Sequence, residues 1–276
     1  MVFIKNNIIL EDKYLTIPKN RSYIFISDIY DVLRIYNGRI FDFEQHFDRL
    51  DSMLTKSNNK INLDKFKLIE NIEKLIYLNK TKNAMVYIHI QNKNIIIYIE
   101  DIERPLNNLN NGVKLFLTKD IRTNGNIKSL NRIGTIINQT IAEKNDCFEA
   151  LMVLNNYITE CSHSNIFIVK NKTIYSPKLN NFILNGTTRG LVINIINKLN
   201  LNFKEKNITI SELIDSDEIF ITNIVEEITP VIEIKNSNFK NKKVGEMTRI
   251  LQKEYFNLID EEFWNWKDLN FCFIHY

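Results

Sequence analysis

The chain has 276 residues, of which 44% are hydrophobic and 25% charged, enough for one large domain or two smaller ones with cores of their own. A formal net charge of +3 is too slight, and Lys-rich runs such as "NFKNKKVG" too interspersed with Asn, for a nucleic-acid partner. Three scattered cysteines argue against a zinc site and suit a reducing compartment. The opening residues lack a signal-peptide pattern, and no apolar run approaches the ~18 residues of a membrane span, so a cytoplasmic protein with no membrane partner is expected.

The predicted elements run as follows. "VFIKNNIIL" reads as a hairpin turning at Asn6-Asn7. "IYDVLRIYNGRIF" is a second, with Asn37-Gly38 as the turn. In "DFEQHFDRLDSML", Phe43, Phe47, Leu50 and Leu54 fall on one helical stripe and Asp42 is placed to cap it. "LDKFKLIENIEKLIYL" is another amphipathic helix, and "AMVYIHIQNKNIIIYIE" a hairpin turning at Asn92-Lys93. After a polar stretch comes the strand "VKLFLTKDI". Residues 1–119 are taken as an N-terminal α/β domain, 120–124 as a linker and 125–276 as a C-terminal α/β domain. The second half alternates the helix "IGTIINQTIAEKN", hairpins at Asn155-Asn156 and Asn171-Lys172, the helix "GTTRGLVINIINKL", two strands about "ITNI" and a last helix from "VGEMTRILQ". The expected fold class is α/β of the α+β type, with mostly antiparallel sheets and flanking helices.

Lys128, in "NGNIKSLNRIG", sits where a strand gives way to a helix. A lysine is by default a solvated surface group. To act as a nucleophile it must lose some of its hydration, because a free amine with a pKa of about 10.4 is protonated in water. Ile127, Leu130 and Ile133 offer an apolar setting. "NGTTRG" places Gly186, Thr187 and Thr188 at the start of a helix, where exposed N–H groups favour an anion. Arg49 flanks the apolar stripe of its helix beside His46 and Met53. Glu160, in "YITECSHSN", ends a strand before a turn of small residues and can point into a cleft. Together these are a nucleophile, an anion anchor and a carboxylate able to hold a protonated ring nitrogen, the needs of a Schiff base with pyridoxal phosphate. His46, His89, His163 and His275 share no metal spacing and receive structural readings. The aromatic tail "EEFWNWKDLNFCFIHY" is read as packing or as a subunit contact, with a cover over the cleft as the alternative.

The segments "IYDVLRIYNGRIFDFEQHFDRL", "DIRTNGNIKSLNRIG", "EALMVLNNYITECSHSNIFIVKNKTIYSPKLNNFILNGTTRG" and "EIFITNIVEEITPVIEI" resemble, in order, the class IV aminotransferases, two-domain pyridoxal-phosphate enzymes of fold type IV. The resemblance implies that Lys128 carries the cofactor as a Schiff base and moves the substrate proton. It implies that Glu160 meets the pyridine nitrogen and that Leu184 packs on the ring. Arg49, Thr187 and Thr188, with the turn at Asn223 and Ile224, would hold the phosphate. Tyr30 matches a tyrosine near the substrate carboxylate in the D-amino acid enzymes, and Arg34 is placed to meet a carboxylate. A homodimer acting on an amino acid and a 2-oxo acid is implied.

The chain departs from the pattern in several places. Ile26, Ser27 and Asp28 stand where the family often has Gly-Asp-Gly. The short turn Asn92-Lys93 replaces an Arg-Gly turn and the basic carboxylate trap beyond it, Cys161 replaces a glycine, and Ile224 or Val225 a hydroxyl residue. "IKSLNRIG" and "ECSHSNIF" look most like D-amino acid aminotransferases, "FITNIVEEITPV" more like aminodeoxychorismate lyases. The expected reaction is ping-pong transfer from a small, D-alanine-like amino acid to a 2-oxo acid. The alternatives are a 4-amino-4-deoxychorismate lyase or branched-chain aminotransferase on the same fold, or a non-catalytic cofactor-binding dimer.

Overall fold

The computed structural model describes residues 2–11, 29–57, 61–91, 94–119, 128, 133–240 and 243–268. The expected linker at 120–124, the Asn92-Lys93 turn and residues 26–28 lie outside them, as do Ile127, Leu130 and the last eight residues of the tail.

The first part is a six-stranded antiparallel sheet with two helices on one face. Its strands are β1 (Val2–Lys5), β2 (Ile8–Glu11), β3 (Ile29–Tyr36) and β4 (Arg39–Phe41), then, after helices α1 (Phe43–Lys56) and α2 (Lys65–Asn79), β5 (Ala84–Gln91) and β6 (Asn94–Asp101). They lie in the order β2-β1-β6-β5-β3-β4. Four expected hairpin turns form, at Asn6-Asn7, Asn37-Gly38, Asn155-Asn156 and Asn171-Lys172, each with both central residues at positive φ, the mirror-image turn whose twist suits paired strands. Leu33, Ile35, Val86, Ile88 and Ile99 from one sheet face pack on Leu50, Met53 and Leu54 of α1 and Leu68, Ile72 and Leu75 of α2. Asp42 starts α1, but at φ 53 and ψ 40 its side chain makes no cap. It accepts instead from Gln45 Nε2 at 3.1 Å.

The short helix α3 (Leu106–Asn111) ends at Gly112 and leads into β7 (Val113–Thr118). Gly112 has φ +77, and a Cβ there would sit 2.6 Å from Ile232 Cγ2, so the turn needs glycine. β7 pairs in parallel with β14 (Glu227–Lys235) and β8 (Glu149–Leu154). The second sheet therefore takes in a strand from before the expected boundary, because two neighbours at distant places in the chain complete its hydrogen bonding.

That second sheet has eight strands. Besides β7, β8 and β14 they are β9 (Tyr157–Cys161), β10 (Asn165–Lys170), β11 (Thr173–Pro177), β12 (Asn202–Lys206) and β13 (Glu218–Asn223), in the order β12-β11-β10-β13-β14-β7-β8-β9. It is mixed rather than antiparallel throughout, with β11·β12 parallel as well. Helices α4 (Ile133–Lys144), α5 (Thr187–Lys198), α6 (Ile210–Ile214) and α7 (Glu246–Asp268) flank it. Val192, Ile195 and Ile196 of α5 and Leu251, Tyr255 and Ile259 of α7 bury against Phe167 and Phe220. Ile133, expected beside Lys128, is 56% exposed. It opens α4 on that helix's outer side, so it contributes no apolar wall.

Tyr36 and Phe41 of the first sheet join the α5–α7 core of the second. A polar latch reinforces this junction. Arg104 binds the Glu227 carboxylate through Nε (2.8 and 3.1 Å) and Nη2 (2.7 Å), and Tyr36 donates to Glu227 at 2.8 Å. The Arg104 guanidinium also lies 4.0 Å from the centre of the Phe256 ring. Glu227 is fully buried while the Arg104 side chain is 31% exposed. Arg104→Ala strands that carboxylate and is expected to cost about 3 kcal/mol. A urea midpoint that does not fall would contradict the latch.

Candidate active site

Four of the residues implicated by sequence, Lys128, Arg49, Thr187 and Tyr30, gather around one that the sequence reading passed over. Asp31 lies within β3, whose eight residues are all buried. Its carboxylate is completely enclosed. A lone buried carboxylate is costly, and three groups compensate it. Arg49 Nε donates to Oδ2 at 3.0 Å and Arg49 Nη2 to Oδ1. His46 Nδ1 lies 3.3 Å from Oδ1, and Lys128 Nζ lies 3.7 Å from the same atom. Burial alone would raise this carboxyl, but Arg49, His46 and Lys128 outweigh burial and hold it well below the usual carboxylate range. Asp31 is therefore ionised at neutral pH.

α1 places His46 and Arg49 one turn apart on its inner side, facing β3. Burial pushes the His46 imidazole below its ordinary value against the pull of Asp31, so it is neutral at pH 7. Its Nδ1–H then donates to Asp31, and its Nε2 accepts from the Thr187 hydroxyl at 3.2 Å. His46 thus ties the Asp31 cluster to the start of α5. Lys128 docks on the edge of β3 that β4 leaves open. Tyr30 N–H donates to the Lys128 carbonyl at 3.1 Å, Lys128 N–H meets Met53 Sδ at 3.1 Å, and the amine stands 5.3 Å from the centre of the Tyr30 ring.

At α5, Gly186 is the N-cap residue and no side chain caps the helix. The side chains of Thr187 and Thr188 are buried there. A Cβ at Gly186 would meet Asn165 Oδ1 at 2.2 Å, so a larger residue there would have to displace the Asn165 side chain. Arg189, in the same first turn, points away from the terminus to Ser176, Pro177 and Glu205, which leaves Arg49 and the helix end to meet an anion. Glu160, 2% exposed, is held by the loop before α5: Oε2 accepts from Leu184 N–H at 2.8 Å and from Asn165 Nδ2 at 3.3 Å. Asn165 also donates to the Leu184 carbonyl at 2.8 Å. Thr222 is the cross-strand partner of Asn165 and shares its face. Its buried hydroxyl finds no partner among the described residues.

The β13–β14 turn closes the other side. Asn223 Oδ1 accepts from Val225 N–H and Glu226 N–H, each at 2.7 Å. Ile224 packs its side chain among Tyr30, Val32, Met85 and Tyr87, so its backbone alone is available to an anion. Arg34 is 1% exposed, with Nη1 3.3 Å from Met85 Sδ, its guanidinium 5.0 Å from the centre of the Tyr36 ring and its Nε without a hydrogen-bond partner among the described residues. His89 stacks on Tyr30 with ring centres 5.9 Å apart.

Lys128, Arg49, Thr187 and Tyr30 thus meet directly or through one side chain. Glu160, Leu184 and Thr188 lie along the adjoining face of the second sheet, and Asn223, Ile224 and Arg34 at the turn where the two sheets face each other. Asp31 and His46 were missed. A single acid inside a strand whose other residues, apart from Arg34, are apolar or aromatic was the available signal for the first, and its i, i+3 spacing from Arg49 the signal for the second.

This donor set suits pyridoxal 5'-phosphate. It combines a half-buried amine, a helix start and an arginine for a phosphate, a buried carboxylate for a ring nitrogen and an orphaned hydroxyl on the strand beside Asn165. Residues 28–234 match the family model described as amino-transferase class IV. A D-alanine aminotransferase from Staphylococcus aureus is 32% identical over 257 residues, 87% of this chain and 91% of that protein. The Escherichia coli branched-chain amino acid aminotransferase superposes with a TM-score of 0.82 over 93% of this chain and 94% of that one, at 18% identity. A second branched-chain amino acid aminotransferase, from T.th. and solved with pyridoxamine 5'-phosphate, gives 0.81 over 93% of each chain, also at 18% identity. The chain belongs to the class IV aminotransferases, fold type IV enzymes whose cofactor is pyridoxal 5'-phosphate.

Proposed function

We propose that this enzyme transfers the amino group of a small D-amino acid, D-alanine-like in size, to a 2-oxo acid, with Lys128 as its catalytic residue. The observation that carries the assignment is the Lys128 amine, 3.7 Å from a buried, ionised Asp31 that also accepts from Arg49, His46 and the Val32 N–H. The 32% identity to a D-alanine aminotransferase supports the choice of donor.

Bound cofactor supplies a carbonyl for the amine and an electron-withdrawing ring for the substrate carbon. The protein's residues do the rest. Arg49, the α5 terminus with Thr187 and Thr188, and the backbone at Asn223–Ile224 bind the phosphate. Glu160 keeps a proton on the pyridine nitrogen, and Leu184 covers the ring. With the cofactor bound, the Lys128 amine would take the proton from the substrate α-carbon and hold it for return. Asp31 holds that amine in reach throughout. Tyr30 and Arg34 receive the substrate carboxylates. Tyr30, Val32, Met85, Tyr87 and Ile224 pack together, which favours a small substrate side chain. Water would supply the carbonyl oxygen of the departing 2-oxo acid, and a second 2-oxo acid would take up the amino group by the reverse path with release of water. The working unit is a homodimer, as the family resemblance implies. In the single chain, Ile133, Ile136 and Ile137 of α4 are 56%, 43% and 50% exposed, an apolar strip for a second subunit to cover.

Two measurements test this reading. Purified protein mixed with pyridoxal 5'-phosphate should develop a visible absorption band that Lys128→Ala lacks; an unchanged band in the variant would reject the role of Lys128. A panel of D- and L-amino acids with 2-oxoglutarate should show D-alanine among the best donors, with kcat/KM at least about tenfold above L-alanine. Preference for a branched L-amino acid, or no keto acid from any donor together with p-aminobenzoate released from aminodeoxychorismate, would overturn the substrate assignment.

A further inference from the structure

One buried carboxylate takes no part in this scheme. Glu149, the first residue of β8, is 2% exposed. Both its oxygens are engaged. Oε2 accepts from His163 N–H at 2.7 Å, and Oε1 accepts from the Ser164 hydroxyl at 2.6 Å. Burial pushes Glu149 up to about 7, while these two donors pull the other way.

The contacts continue with a fixed direction. A serine has one hydroxyl proton. Having given it to Glu149, Ser164 meets its next neighbour only as an acceptor, and Asn223 Nδ2 donates to it at 2.7 Å. That orientation of the amide turns Asn223 Oδ1 toward the N–H groups of Val225 and Glu226. The reverse orientation would set an amide NH2 against two N–H donors. The Glu149–Ser164 pair and the two N–H groups of the turn thus hold the Asn223 side chain in the same orientation, and Asn223 closes the β13–β14 turn. The same carboxylate grips His163 and Ser164, in the turn that follows Glu160. Cys161 N–H donates to the Ser164 carbonyl there at 2.8 Å.

We propose that Glu149 is a positioning residue for the cofactor phosphate. Acting through Ser164 and Asn223, it holds the Asn223–Glu226 turn in the shape that presents its backbone to that phosphate. The proposal rests on the assignment of this turn to the phosphate made above.

A double-mutant cycle on the apoprotein tests it. Wild type, Glu149→Gln, Asn223→Ala and the double variant are titrated with pyridoxal 5'-phosphate, and the 31P resonance of each saturated sample is recorded. A glutamine can accept from only one of the two donors. Each single variant should therefore weaken binding about tenfold. The double variant should be no weaker than the worse single variant, and Glu149→Gln should displace the 31P resonance in the direction that Asn223→Ala does. If Glu149→Gln fails to fold, Ser164→Ala removes only the hydroxyl link and carries the same expectations. An unchanged Kd, losses that multiply in the double variant, or an unmoved 31P resonance would overturn the proposal. Wild-type protein that does not bind the cofactor would overturn the reading of the site itself and this proposal with it; lost coupling in a binding-competent protein overturns this proposal alone.

Discussion

The site depends on a carboxylate in the wrong place. Asp31 is enclosed within a strand whose seven other residues are also buried. Left alone there, an ionised acid would be expelled or protonated. What keeps it is a shell of one bidentate guanidinium, one imidazole and one amine. The dependence runs both ways. The acid needs the cations, and the cations are fixed because the acid is immobile. Arg49 is aimed by it, His46 takes one tautomer because of it, and the Lys128 amine, at the end of a four-carbon stem, stays beside the open edge of β3. A reactive amine whose position is fixed before substrate arrives loses little entropy when it reacts.

From that centre the remaining contacts run outward in two directions. His46 passes the constraint to Thr187 and so to the uncapped start of α5, where partial positive charge collects at the helix end. Leu184 and Asn165 fix Glu160 on the face across from it. The uncapped start of α5 and the buried Glu160 carboxylate thus lie on different elements that flank or form the second sheet, an arrangement that would suit a ligand with a phosphate at one side and a protonated nitrogen at the other. The Arg104–Glu227–Tyr36 latch keeps the first sheet, which carries Asp31, in register with the second, which carries the anion site.

What the sequence disclosed and what it hid follow from the range of the interactions. Asn37-Gly38 and the paired asparagines announced their hairpins because a mirror-image turn is decided by two residues. The stripe on α1 was equally local. The parallel pairing of β7 with β8 and β14 was not legible, since it joins segments far apart in the chain and depends on which edges remain open. Asp42 looked like a helix cap, yet adopts a left-handed turn and binds Gln45 instead. Asp31 was hidden by its neighbours. In "IYDVLRIY" the apolar residues read as core, and only the fold shows that one polar position inside that core faces Arg49 and Lys128. Lys128, Glu160 and Thr187 were singled out because their surroundings resembled a family; in the structure Glu160 and Thr187 are buried and the Lys128 amine stands beside Asp31.

The most direct test of this account is the site of attachment. Holoenzyme is reduced with borohydride to make the cofactor bond permanent, then digested, and the modified peptide is sequenced by mass spectrometry. The account predicts a single phosphopyridoxyl group on Lys128, with attachment slowed in Asp31→Asn because the amine is no longer held. A label on any other lysine, or attachment to Lys128 at an unchanged rate without the Asp31 charge, would contradict it.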